Sequence, residues 1–165
     1  MGTHAAEVTR AQALLAALEV AARLCIEFEG FYASPYLCPA GVPTIGYGST
    51  YYADGRMVTL DDPPLTEPEA RHLLMDTLRR VYAAGVIQAS PVLIRYPQIW
   101  GAMTDFAYNL GVPRYRASTL RKRVEAEDWP ATQRELMRWT RAGGRVLKGL
   151  VRRREAEAAW VDSAP

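Results

Sequence analysis

The chain has 165 residues, 49% of them hydrophobic and 23% charged, enough to bury its own core and too mixed for a collagen-like, low-complexity or solenoid protein. Two cysteines and two histidines are too few and too irregularly spaced for a disulfide scaffold or a four-ligand zinc site, so neither a metal nor a cofactor is expected. The net charge of +2 is uneven: residues 91–165 hold 14 of the 20 lysines and arginines, which suits a polyanion such as nucleic acid or an acidic wall polymer, or simply a solvated helical surface.

Ala11–Ala22 (AQALLAALEVAA) resembles a signal segment, but it is short, contains Glu19 and lacks a basic lead. It reads as an amphipathic helix in a protein made in soluble form, without stable membrane insertion. Leu14, Leu15, Leu18, Ala22 and Ile26 keep a three-to-four residue rhythm that predicts an opening helix ending near Gly30. Glu29 falls in its last turn, where the helix dipole disfavours a carboxylate, so stability gives little reason for it.

From Phe31 to Pro43 the Pro, Gly and Ser residues break the helix; Thr44 to Tyr52 reads as β structure, and Asp54-Gly55 marks a hairpin turn. Thr66 and Glu69 form a capping-box pattern opening a helix through Leu73, Leu74, Leu78 and Val81. Pro97 opens another, with Ile99, Met103, Phe106, Ala107 and Leu110 on one face and Gly111 as its stop. Ser118 and Asp128 are N-cap signals, Gly143-Gly144 is expected to stop the helix that Asp128 opens, and Leu147–Val161 supplies the last one. The fold class is α+β with the sheet near the N-terminal end.

His4 lies near the N-terminus and His72 on the polar side of a helical pattern, so neither makes a catalytic base, and no G-x-S-x-G elbow or phosphate-binding glycine loop is present. What remains is Glu29 before a Gly/Pro-rich loop carrying a thiol and a hydroxyl. A partly buried glutamate that keeps its proton can protonate a leaving oxygen while water is held opposite, which is the logic of a glycosidase.

The order Glu29, Cys38, Thr44 followed by I-G-Y-G, then L-T-E-P-E-A-R-H-L-L (65–74), D-F-A-Y-N-L-G (105–111), S-T-L (118–120), Trp139 with Gly143-Gly144, and G-L-V-R-R-R-E (149–155) resembles the bacteriophage lysozyme (endolysin) family, glycoside hydrolase family 24. The likeness covers the chain from about residue 20. It implies a single lysozyme-like catalytic domain (1–165) with a small sheet-bearing lobe (about 30–65), a helical lobe (about 85–165), a joining helix (about 67–84) and a cleft between the lobes. It also implies hydrolysis of the β-1,4 bond between N-acetylmuramic acid and N-acetylglucosamine in peptidoglycan.

Within that resemblance Glu29 takes the role of general acid and Thr44 that of placing the water. Asn109 binds the sugar amide, supports Glu29, or only caps its helix near Gly111; Tyr108 stacks on sugar or fills the core; and one of Arg152, Arg153 and Arg154 approaches Glu29 or an anionic peptide of the substrate. Cys38 departs from the commoner aspartate. A thiol with an ordinary pKa of about 8.5, raised by a nearby carboxylate, would orient water rather than deprotonate it. Direct attack by Cys38, and a redox pairing with Cys25, remain open beside a free, buried Cys25. The implied partner is peptidoglycan rather than nucleic acid, the state a monomer, and the location the host cytoplasm on synthesis and the wall in the periplasm on action, with release aided by a separate membrane-permeabilising protein. A non-catalytic wall-binding module of the same fold is the alternative.

Overall fold

The computed structural model describes the backbone of residues 2–162 and the side chains of residues 9–162; the side chain of His4 lies outside the described residues. Helix α1 (Gly2–Glu29) ends where expected, with Gly30 following at φ +72°. Its buried stripe keeps the expected positions except Leu15, with Leu18 buried and Leu14, Ala22 and Ile26 packed against the core. Ala13, Ala17, Ala21, Leu24 and Cys25 are buried, whereas Leu15 is 57% exposed. The reason is the partner helix α4 (Pro97–Leu110), against which most of the α1 contacts are made. A methyl added at Gly101 of α4 would stand 2.5 Å from the Ala17 carbonyl oxygen and 2.6 Å from Val20 Cβ. Two backbones so close leave room only for small side chains along the seam.

Strand β1 (Tyr32–Leu37) occupies part of the stretch expected to be only loop, and pairs antiparallel with β2 (Pro43–Gly46). Ser34 and Pro35 are accommodated because the register shifts between the Tyr32–Gly46 and Tyr36–Thr44 pairs, so the strand is irregular where Pro cannot donate a ladder bond. The turn signal at Asp54-Gly55 is real: Tyr52 N–H donates to Arg56 O at 2.9 Å and Gly55 N–H to Tyr52 O at 3.0 Å. Ile45, Val58 and Leu73 form a small separate core beneath this sheet.

Helix α2 (Glu67–Thr77) opens with the full capping box, in which Thr66 Oγ1 accepts from Glu69 N–H and Thr66 N–H donates to Glu69 Oε2. The helical run continues beyond the expected end. A π-helical turn (Leu78–Ala83) leads into α3 (Ala84–Ala89), the inserted residue placing Tyr82 against Tyr108 edge-on, ring centres 5.0 Å apart.

Helix α4 is buried from Ile99 to Ala107 and forms the axis of the helical region. Around it lie α5 (Val112–Ala117), α6 (Thr119–Glu125), α7 (Trp129–Leu136) and α8 (Lys148–Val161). Ser118 and Asp128 cap α6 and α7 as their spacing predicts. Gly143-Gly144 does not stop α7, which has already ended at Leu136. The two glycines instead turn a short hairpin, β3 (Arg141–Ala142) with β4 (Arg145–Val146), both adopting positive φ. Among the described residues no helix is long and apolar enough to cross a membrane.

Candidate active site

Glu29 emerges from the last turn of α1 with its side chain 27% exposed, and Arg153 Nη1 of α8 donates to its Oε1 at 2.6 Å. Of the three consecutive arginines only Arg153 meets Glu29. Helical spacing explains the choice, since Arg153 and Arg154 turn inward while Arg152 is exposed. The remaining nitrogens of Arg153 are held by Asp105 of α4: Nε donates to Oδ2 at 2.9 Å and Nη2 to Oδ1 at 2.7 Å. Asp105 is fully buried and also accepts from Cys25 Sγ at 3.2 Å. Burial tends to pull the Arg153 guanidinium down, but the Asp105 and Glu29 carboxylates reverse this and hold it well above its ordinary range.

Gly48 closes the opposite side of Glu29. It sits at φ +89°, and a methyl there would lie 3.1 Å from the Tyr108 hydroxyl and 3.5 Å from Glu29 Oε2, so both backbone angle and space select glycine. Tyr108 donates to Tyr47 O at 2.6 Å, tying α4 to the hairpin loop, and Tyr47 in turn donates to Glu67 Oε1 at 2.8 Å. With its hydroxyl turned onto the backbone, Tyr108 acts as a strut between helices and sheet. Tyr36 of β1 and Tyr82 of the π-helical turn feel the charge of Glu29.

Cys38 and Thr44 come together at the end of the β1–β2 hairpin, where Leu37 pairs with Pro43 and Tyr36 with Thr44. Thr44 is 3% exposed and its hydroxyl donates to Val42 O at 2.9 Å, so its lone pairs are left to accept. Cys38 departs from expectation. The backbone N–H groups of Val42 and Ala40 lower its thiol from the ordinary value rather than raising it. Burial raises the Tyr36 hydroxyl, with the charges of Glu29 and Cys38 adding to the effect. Cys25 behaves oppositely: burial and the Asp105 carboxylate push its thiol well up. Both cysteines are free, and the Cys25 thiol is engaged with Asp105 rather than with Cys38.

Asn109 Oδ1 accepts from Arg154 Nη2 at 3.0 Å, while a second bond runs from Arg154 Nη2 to Glu157 Oε1 at 2.7 Å. Asn109 is thereby oriented by α8 instead of capping its own helix. Burial raises the Glu157 carboxyl, with Asp105 adding to the effect and Arg154 opposing it. Asp105, Tyr82 and Glu157 are members of this constellation that sequence reasoning did not single out. Asp105 had a legible signal, an acid between Met103 and Phe106 on an apolar helix face; Tyr82 had none, because its orientation depends on the π-helical turn.

The phage lysozyme family model matches residues 26–157. The chain is 35% identical over 131 residues to the SAR-endolysin of Bacteriophage PS119, covering 78% of this chain and 73% of that protein. It is 30% identical over 141 residues to an endolysin of Acyrthosiphon pisum secondary endosymbiont phage 1, covering 83% and 91%. Among solved structures, an endolysin from Escherichia coli O157:H7 phage FAHEc1 matches with a TM-score of 0.74 and 25% identity over 87% of this chain and 91% of that one. The active form of P1 phage endolysin Lyz matches in fold, with a TM-score of 0.72 and 23% identity over 86% and 82%. A short antiparallel sheet followed by helices packed round α4, with the family model matched over residues 26–157, makes this chain a member of the phage lysozyme family, a peptidoglycan-hydrolysing lysozyme of α+β fold.

Proposed function

We propose that this lysozyme cleaves the β-1,4 bond between N-acetylmuramic acid and N-acetylglucosamine, with Glu29 as general acid and Cys38 and Thr44 holding the attacking water. The observation that carries the reading is the setting of Glu29, fixed by Arg153 yet 27% exposed, with Cys38 and Thr44 together at the end of the hairpin that follows it in the chain. Protonated Glu29 gives its proton to the glycosidic oxygen as the bond from the sugar C1 breaks. Water adds to the oxocarbenium-like carbon from the opposite face and releases its proton toward the Cys38 sulfur. Thr44 accepts a hydrogen of that water, and Asn109, steadied by Arg154, meets the sugar amide. The whole chain acts as one catalytic domain, the π-helical run joining the sheet-bearing and helical lobes.

Glu29→Gln tests the assignment in a turbidity assay on permeabilised Gram-negative cells. Lysis is expected to fall at least about 100-fold with the circular dichroism spectrum unchanged; retained lysis overturns the role, and binding to sacculi without turnover by the wild type would support a wall-binding module instead.

The lowered Cys38 thiol favours a second reading, direct attack by the thiolate on the sugar carbon to give a covalent intermediate. The first anomer released from a defined glycan decides: α for inversion by water, β for retention through the thiol. For access to the periplasm we propose a separate membrane-permeabilising protein acting on a monomeric enzyme. The name SAR-endolysin carried by the PS119 relative points to export by a signal anchor, and lysis after expression of this chain alone would favour that route.

A further inference from the structure

A general acid must reach the substrate with its proton, and an arginine at 2.6 Å works against that by stabilising the carboxylate. Asp105 bears on this conflict. Its carboxylate holds Nε and Nη2 of Arg153 at 2.9 and 2.7 Å, leaving Nη1 for Glu29. Asp105 is 0% and Arg153 4% exposed, so their interaction is poorly screened by water. We propose that Asp105 is a positioning residue that sets the proton affinity of Glu29 through Arg153, an inference that rests on Glu29 being the acid.

Two effects follow from the one contact. The bidentate grip fixes the plane of the guanidinium, so Nη1 points at Glu29 and not into the cleft. The Asp105 charge also offsets that of Arg153, so Glu29 faces a nearly neutral pair instead of a bare cation. The other titratable groups that feel the charge of Glu29 are Cys25 from α1, Tyr36 from β1, Tyr82 from the π-helical turn and Tyr108 from α4. Burial raises the titration of all four, so they remain uncharged around neutrality. Arg154 and Glu157 of α8 pair with each other. The balance at Glu29 is therefore governed by Arg153 and Asp105.

The test is the pH dependence of kcat/KM on glycan strands from purified sacculi. Asp105→Asn removes one negative charge at nearly constant volume. The alkaline limb, where Glu29 loses its proton, is expected to move down by about one pH unit, giving about tenfold lower activity one unit above the wild-type limb. Arg153→Lys keeps the positive charge but loses the fork, and its ammonium follows the buried Asp105. Glu29 is then left unpaired and the limb moves up. Shifts of opposite sign support the proposal. A lowered plateau with both limbs in the wild-type position, or both moved the same way, overturns it and leaves Asp105 a structural residue. If Asp105→Asn does not fold, Arg153→Lys decides alone, and a limb that stays or moves down is the contrary result. Failure of the acid assignment itself is separate, since it appears as retained lysis in Glu29→Gln.

Discussion

At the residue scale, the two cysteines are opposites made from one chemistry. Cys38 is partly exposed at a hairpin end where backbone N–H groups stabilise its thiolate, while Cys25 is buried against a carboxylate that opposes ionisation. A lowered pKa means that thiolate accumulates at lower pH. Iodoacetamide should therefore alkylate Cys38 with a pH midpoint below that of a free thiol, about 8.5, and abolish lysis, while Cys25 reacts only after unfolding. Peptide mass analysis across a pH series checks this; equal labelling of both cysteines in the native enzyme would contradict it. Gly48 yields a second prediction. Gly48→Ala forces a side chain onto φ +89° and against Tyr108 and Glu29. It should cut activity at least about tenfold by displacing Glu29 while costing about 1–2 kcal/mol of stability, measured by lysis and urea unfolding together.

At the scale of elements, the α1–α4 seam and the start of α2 show how local sequence and packing divide the work. Thr66→Ala removes the side-chain arm of the capping box, leaving only the backbone N–H of residue 66 to meet Glu69, and should cost about 1 kcal/mol, an effect legible in the spacing of Thr66 and Glu69 alone. Gly101→Ala looks harmless in sequence, where alanine is the better helix former, yet its methyl would meet the Ala17 carbonyl oxygen at 2.5 Å. It should destabilise by about 1–3 kcal/mol through overpacking. Chemical denaturation distinguishes the two variants, and a stabilised Gly101→Ala would show that α1 can move away from α4. The same contrast explains why Leu15 lies outside a stripe that Leu18 and Ile26 join: close helices require the small Ala13, Ala17 and Ala21 along the seam.

At the scale of the whole molecule, α8 carries two buried cations that link the C-terminal end of the fold to the site. Arg153 reaches Glu29 and Asp105, and Arg154 holds Asn109 and Glu157 over the face of Phe106, 5.0 Å from its ring centre. Arg154 and Glu157 are both fully buried, so Arg154→Met alone should cost about 3–5 kcal/mol by leaving a buried carboxyl group without its partner, whereas Arg154→Met with Glu157→Met should recover most of that loss. Stability of the pair by urea unfolding tests this; an equally unstable double variant would mean the ion pair contributes net stability.

Much of the protein was readable before any tertiary contact was considered. Caps at Thr66, Ser118 and Asp128, the Gly30 and Gly111 stops and the order of Glu29, Cys38 and Thr44 are local signals, set by backbone hydrogen bonding over a few residues. They determined the helices, the place of the sheet and the family resemblance. Only the tertiary structure decided which arginine meets Glu29, that Asp105 grips the same guanidinium, that Tyr108 turns its hydroxyl to Tyr47, and that backbone N–H groups lower the Cys38 thiol. Those outcomes depend on groups as far apart in sequence as Glu29 and Arg153, whose distance and shared dielectric are set by how the helices pack and by no pattern within either helix.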